Sequence, residues 1–203
     1  MEFPLLRNLG LGGSIVLILG IILASVPTLS PPGTILMIIG AILILIALYG
    51  LSQIYGDRSI FRNALGSFIA AIIAWILFIV FFIAFILSLL GVAVGAQEAT
   101  GLLGASAIVL IVMIIALAVS AFLWYRALRT LSARSGEGMF RWAATTYAIS
   151  VIIFIIGIIL TVALVGILLI LIAGIIDLIS YIFLALGFYN LKPPATQAQT
   201  LTT

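Results

Sequence analysis

The sequence predicts an all-α fold, an integral membrane bundle of six transmembrane helices joined by short loops. Its 203 residues are 66% hydrophobic and 6% charged, and the mean hydropathy is +1.53. A soluble domain carries about 25% charged residues, so these few charges cannot cover a surface that faces water. Apolar stretches recur along the chain at the length of about 20 residues that a helix needs to cross hydrocarbon. Most of the surface is therefore expected to face lipid.

The first two helices are predicted over residues 9–29 and 34–55. Residues 30–33 between them carry two prolines, which we expect to break the chain because proline cannot continue a helix. The apolar run after Arg7 is similar to a signal peptide. No clear cleavage site follows it, however, and we interpret the run as a retained first helix.

The third helix is predicted over residues 58–91 and the fourth over residues 102–125. Gly56 suits the position just beyond the second helix, and Asp57 suits the N-cap of the third. A polar loop over residues 95–101 separates the third helix from the fourth. The most polar stretch of the chain, residues 126–141, is predicted to connect the fourth helix to the fifth.

Residues 142–190 contain no proline and one charge, and they are too long for one span at about 1.5 Å per residue. We divide them near Val165 and Gly166 into a fifth helix over residues 142–164 and a sixth over 167–190. The six helices form one predicted transmembrane domain over residues 1–190. A polar tail follows over residues 191–203.

The charges support six spans, because the predicted topology places every basic residue on one side of the bilayer. The opposite loops carry only Glu98. Under the positive-inside rule the basic side is cytoplasmic, so both termini are predicted to be cytoplasmic. The basic residues are Arg7, Arg58, Arg62, Arg126, Arg129, Arg134, Arg141 and Lys192.

Cysteine and histidine are both absent, which removes the usual ligands of zinc, haem and iron–sulfur clusters and the base of a Ser–His hydrolase. Asp57 lies at the interface and Asp177 in mid-membrane, so they cannot form an aspartyl protease pair. A lone aspartate also lacks the partner acids of a magnesium site. We therefore predict no enzymatic activity, no metal and no cofactor. The chain has no domain that could bind nucleic acid, and the partner it must have is the lipid bilayer.

Three short stretches of the chain carry a family resemblance. They are Tyr55-Gly56-Asp57-Arg58-Ser59-Ile60-Phe61-Arg62-Asn63, Trp124-Tyr125-Arg126-Ala127-Leu128 with Met139-Phe140-Arg141, and Lys192-Pro193-Pro194. These stretches resemble the prokaryotic and mostly archaeal membrane proteins called domain of unknown function 996. The resemblance implies a multi-pass protein of a prokaryotic plasma membrane. It brings no activity, cofactor or catalytic residues.

Asp177 is the candidate intramembrane site, together with Ser180 and Tyr181 one turn later. It lies near the middle of the sixth helix, where a charge costs about 2.5–3.5 kcal/mol. We therefore expect its side chain to face protein and to be mostly uncharged near neutral pH. One interpretation is a proton- or cation-binding group in a pathway, and the other is a neutral acid that joins two helices by hydrogen bonds.

A second candidate is the row Gly66, Ala70 and Ala74 on the third helix, which has the small-xxx-small spacing that lets helices approach closely. The row is expected to pack within the chain or against a partner subunit. Two functions follow from these sites. The first is a non-enzymatic accessory or structural subunit of a larger membrane complex or a homo-oligomer. The alternative is a small proton- or ion-coupled carrier or channel that uses Asp177.

Overall fold

The chain folds into six long helices and one short 3₁₀ turn in the computed structural model, which describes residues 2–93, 99–160 and 165–194. No strand occurs in these ranges, and all six long helices have the length and hydropathy to cross a membrane. The predicted all-α fold with six membrane-spanning helices is therefore confirmed. The elements are α1 (Phe3–Ala24), the 3₁₀ turn (Pro27–Leu29), α2 (Ser30–Ile54), α3 (Arg58–Ala93), α4 (Ala99–Ser135), α5 (Met139–Ile159) and α6 (Val165–Asn190).

The first predicted turn is displaced. α1 ends at Ala24 and the 3₁₀ turn begins at Pro27, so residues 30–33 open α2 instead of breaking the chain. Proline is tolerated in the first turn of a helix, where its missing N–H would have no partner in any case. The two prolines therefore start the second helix rather than end the first.

The predicted loop over residues 126–141 is largely wrong. α4 continues to Ser135, and the loop shrinks to three residues, 136–138. Arg, Leu and Ala are good helix formers, and Ala127, Leu128 and Leu131 of this extension are completely buried. Gly136 ends the helix with a positive φ of 72°.

The division of the last apolar stretch falls a few residues earlier than predicted. α5 ends at Ile159 and α6 begins at Val165. The predicted end of the fifth helix over residues 161–164 lies outside the described residues, as do Glu98 and most of the predicted loop 95–101. Residues 99–101 belong to α4. Of the predicted tail, residues 191–194 are described, and Leu191 is buried in the core.

The chain divides into two compact units, each described here by itself. Unit 1 comprises Met1–Leu65 and Leu123–Thr203, and unit 2 comprises Gly66–Phe122. The single transmembrane domain over residues 1–190 stays a prediction.

The α1–α2 hairpin of unit 1 packs through glycines. Gly13 and Gly20 of α1 face Gly40 and Gly33 of α2, and the glycines of each helix are seven residues apart. A Cβ on Gly40 would lie 2.7 Å from the carbonyl oxygen of Gly13, and one on Gly20 would lie 2.7 Å from the backbone nitrogen of Met37. The two backbones are therefore in direct contact, which no residue with a side chain would permit.

The α5–α6 hairpin, also in unit 1, has the same seven-residue spacing but different side chains. The hydroxyl of Ser150 on α5 donates to the carbonyl of Ala173 on α6 over 2.8 Å. The hydroxyl of Ser180 on α6 donates to the carbonyl of Ala143 on α5 over 2.9 Å. Gly157 completes this seam near the turn, where a Cβ would lie 3.0 Å from the carbonyl oxygen of Gly166.

Contacts between distant parts of the sequence join the two hairpins. α1 packs against α6, and the ring of Phe188 lies against Gly10 with no room for a Cβ between them. Phe140 meets Phe188 edge-on, with ring centroids 5.3 Å apart. The hydroxyl of Tyr55 donates to the carbonyl of Lys192 over 3.1 Å. The start of α1 and the ends of α2 and α6 therefore meet at one end of unit 1.

Unit 2 contains most of α3 and the first part of α4, and two serines link these helices. Ser67 donates to the carbonyl of Ser120 over 2.9 Å, and Ser120 donates to the carbonyl of Ser67 over 3.0 Å. The two hydroxyl oxygens are 3.1 Å apart. Ala74 and Met113, seven residues away on each helix, are also buried. The α3–α4 pair therefore uses the same spacing as the two hairpins of unit 1.

Candidate functional site

Asp177 lies between the two residues of α6 that face α5, four residues after Ala173 and three before Ser180. The residue as a whole is half-buried. Its Oδ1 atom is buried, and no hydrogen-bond partner for this atom occurs in the described part of the chain. A buried polar atom without a partner typically costs about 1–3 kcal/mol. Among the described side chains, Asp177 is thus the one with a buried polar atom that lacks a hydrogen bond within the chain.

The neighbouring serine hydroxyls bond elsewhere. Each hydroxyl has one proton to donate, and Ser180 and Ser150 give theirs to backbone carbonyls across the α5–α6 seam. Ser180, predicted to share a polar site with Asp177, is therefore directed into the seam. Sequence reasoning could not foresee this, because serine donates equally well to a carboxylate or to a carbonyl.

A row of aromatic side chains leads from Tyr181, beside Asp177, to α4. Tyr181, one turn after Asp177, lies within electrostatic range of both Asp177 and Tyr147. The rings of Tyr147 and Tyr181 have centroids 6.5 Å apart, and those of Trp124 and Tyr147 have centroids 6.3 Å apart. Amphipathic rings of this kind shield an acid from hydrocarbon while they offer few polar atoms to it.

No group of three or more carboxylates that could hold a metal ion occurs among the residues that the structure describes. Asp177 has a single carboxyl group, and the phenol of Tyr181 lies near it. This set can accept or share a proton with a partner group, and it offers too few oxygens for a Mg²⁺ or Ca²⁺ ion.

The second site is the corner between α2 and α3. Gly56 has a φ of 65°, and the amides of Gly56 and Asp57 donate to the carbonyls of Gln53 and Ser52 in the Schellman pattern. Asp57 then caps α3, accepting from the backbone nitrogen of Ser59 at 3.0 Å. Both residues have the roles that the sequence predicted for them.

Asp57 also joins this corner to the end of α4. Arg134 donates to it from Nε over 3.1 Å, and its Nη2 forms an ion pair with the same carboxylate oxygen at 3.1 Å. Hydrogen bonds from the side chain and backbone of Ser59, and then Arg134, hold the pKa of Asp57 below its usual value against the opposing effect of burial. The carboxylate of Asp57 is therefore ionised, and both of its oxygens already accept hydrogen bonds from Ser59 or Arg134. Arg134 is 77 residues away in sequence, which is why the pair could not be predicted.

A cavity of about 720 Å³ opens beside this corner. Its lining includes Tyr49 and Phe61, whose rings meet edge-on at 4.9 Å. The polar part of the lining includes Gln53, Arg58 and Arg62. The cavity therefore combines an aromatic wall with two cationic side chains.

The predicted packing row lies in unit 2. Ala74 is buried, and Gly66 and Ala70 are half-buried. Ser67, next to Gly66, makes the hydrogen bonds to α4. The seam of α3 thus passes through Ser67 and Ala74, so Ala74 of the predicted row lies in the seam, and the half-buried Gly66 and Ala70 lie along its edge.

Sequence reasoning missed the glycine seam of the first hairpin. The signal was present, because Gly13 and Gly20 in α1 and Gly33 and Gly40 in α2 each recur after seven residues. A seven-residue repeat of small residues is typical of helix pairs that cross at a shallow left-handed angle.

Comparison with known proteins assigns the chain to a family whose activity is unknown. A family model described as protein of unknown function (DUF996) matches residues 36–175. This range contains α2 from its second turn, all of α3, α4 and α5, and the first part of α6. No curated protein matches the chain, and no solved structure matches it.

Proposed function

We propose that this chain, which belongs to the DUF996 family of unknown function, is a non-enzymatic accessory subunit that assembles in the membrane with itself or with a larger complex. Six apolar helices support a multi-pass membrane protein. The observation that carries the finer proposal is the missing partner of Asp177. In hydrocarbon no water can satisfy such a group, so a partner helix is the natural source of its hydrogen bond.

Gly174 supports a partner helix at this position. It lies three residues before Asp177, on a neighbouring part of the helix surface. Gly174 is exposed, and a Cβ there would meet nothing within 4 Å. An open glycine beside an unsatisfied acid gives a second helix both room to approach and a group to bond.

The assembly can be tested by extracting the tagged parent chain and its variants from the membrane in lipid nanodiscs without detergent. The mass of the protein complex in each nanodisc is then measured. We expect the parent to run in a complex and Gly174→Leu to run as a monomer. The larger side chain should block a partner without disturbing the isolated fold, because it enters open space. Gly104→Leu is the matched control, since Gly104 on α4 is also exposed and open.

Asp177 variants separate assembly from transport. Asp177→Asn keeps the shape and can still form hydrogen bonds, so the complex should persist, whereas Asp177→Leu should dissociate it. A proton- or ion-coupled carrier or channel is the alternative. It predicts that the parent conducts in liposomes and that Asp177→Asn assembles normally but loses pH- or ion-dependent flux. A monomeric parent that conducts would overturn the accessory role.

Location is part of the same proposal. We infer that the membrane is a prokaryotic plasma membrane and that both termini are cytoplasmic. The eight basic residues, which all belong to unit 1, support the orientation of the termini. Tags at the two ends, probed with an impermeant reagent in intact cells, should both be protected. One accessible tag would contradict the topology.

A further inference from the structure

We propose that the cavity at the α2–α3 corner binds the phosphate headgroup of an anionic phospholipid. α2 ends at Ile54 and α3 begins at Arg58, and both helices have the length and hydropathy to cross a membrane. The cavity therefore lies where the helices leave the hydrocarbon, at the level of lipid headgroups. Its volume of about 720 Å³ is within the range of small-molecule sites.

Arg58 and Arg62 supply the charge. They are four residues apart on one face of α3, both are exposed, and both line the cavity. Neither forms a hydrogen bond or ion pair with another described side chain. A planar guanidinium matches the oxygens of a phosphate and binds two of them at once. Two unpaired guanidinium groups beside one cavity are suited to a phosphodiester.

Asp57, the acid of the cavity lining, does not repel this ligand strongly. Its Oδ1 accepts from Ser59 and its Oδ2 from Arg134. With Arg58, Arg62 and Arg134 against one carboxylate, the corner keeps two net positive charges. Asp57 stabilises the turn that sets the direction of α3, and Arg58 and Arg62 remain free to bind the phosphate.

The aromatic wall distinguishes a lipid from free phosphate. Tyr49 is 45% exposed, lies one turn before Gln53 on α2, and forms the aromatic wall of the cavity with Phe61. A glycerol backbone and the start of an acyl chain can lie against these rings while the phosphate contacts the arginines. Inorganic phosphate would leave the wall uncovered.

Native mass spectrometry of the whole purified chain, titrated with phosphatidylglycerol or phosphatidylcholine, tests the site. We expect the parent to retain one phosphatidylglycerol selectively. The double variant Arg58→Gln/Arg62→Gln should bind it about 30-fold more weakly, since each arginine near anionic lipid contributes about fivefold. The control Arg7→Gln/Arg141→Gln removes the same charge outside the cavity and should bind like the parent.

Equal weakening in both double variants would overturn the proposal in favour of a diffuse charge effect, and so would a parent without selectivity. Inorganic phosphate that displaces the lipid at matching concentration would show a site for the free ion and overturn the lipid assignment. If the glutamine variant does not fold, Arg58→Lys/Arg62→Lys keeps the charge and loses the two-point geometry. It should then bind several-fold more weakly than the parent, and parent-like binding would contradict the proposal.

Discussion

The two hairpins of unit 1 solve one packing problem in different ways. In α1–α2 the helices touch through glycines, and the backbones themselves are in contact. In α5–α6 serines face alanines, and each serine hydroxyl bonds the backbone of the other helix. The spacing of seven residues is common to both. The first hairpin therefore depends on the absence of side chains, and the second depends on hydrogen bonds whose loss would create no steric clash.

This difference predicts that the glycine seam tolerates change least. Gly13→Ala places a Cβ 2.8 Å from Cβ of Leu43 and 2.9 Å from the carbonyl oxygen of Gly40. Backbone cannot move aside, so we expect a loss of about 1–3 kcal/mol in the free energy of unfolding. Gly12→Ala is the control, because its Cβ meets nothing within 4 Å. It should stabilise the helix by about 0.5–1 kcal/mol. Thermal unfolding in mild detergent measures both, and equal effects would refute a contact seam.

The serine seam should lose less. Hydrogen bonds between membrane helices contribute about 0.6 kcal/mol on average, so Ser150→Ala/Ser180→Ala should cost about 1 kcal/mol in the same assay. Ser25→Ala is the control, since that exposed hydroxyl bonds only within its own helix. A double variant as damaging as Gly13→Ala would show that the two seams do not differ in kind.

Contacts at the helix ends, outside either seam, should contribute less again. Asp57→Asn keeps a capping side chain and loses the ion pair with Arg134, which is largely exposed, so we expect a cost under about 1 kcal/mol. The pKa of Asp57 is lowered in the fold. Its stabilising contribution is therefore present above the ordinary aspartate pKa, near 4, and is lost as the pH falls through the lowered value. Urea titrations at several pH values should show parent and variant converging in acid, and a constant difference would contradict the role of the charge.

The smallest effect is expected at Tyr55, whose bond to Lys192 lies at the surface. Tyr55→Phe should cost about 0.5 kcal/mol near neutral pH. Burial raises the pKa of Tyr55 to about 12, above the ordinary value near 10. The protonated phenol is thus favoured in the fold, and its contribution is lost between pH 10 and 12. The parent should lose more stability than the variant across that interval, and parallel curves would contradict it.

The sequence predicts most of the helical architecture, because the length of each apolar stretch and the basic residues at its ends are local signals. It also predicts the turn at Gly56 and the cap at Asp57, whose geometry depends on a few neighbouring residues. It fails at the end of α4, where polar residues suggest a loop. Leu128 and Leu131 extend the helix by packing against the core, and such packing depends on distant partners.

The candidate site likewise has local features that the sequence predicts and long-range features that it does not. The sequence locates Asp177 in mid-helix but not the direction of its neighbours' hydrogen bonds. Whether Ser180 turns to the acid or to α5 depends on the rotation of α6 by a fraction of a turn, which composition does not determine. The cavity at Arg58 and Arg62 likewise depends on Tyr49, which lies in another helix.

The contact between Gly10 and Phe188 has a consequence for biosynthesis. Each seam joins helices that follow one another in the chain, so a hairpin can close soon after its second helix has entered the membrane. α1 also packs against α6, which is made after the other five helices described here. The surface of α1 at Gly10 therefore stays uncovered until Phe188 has been made, after 177 intervening residues have been translated. A chain that stops before α6 would present an uncovered glycine face on α1, a feature by which membrane quality control could recognise molecules that lack α6.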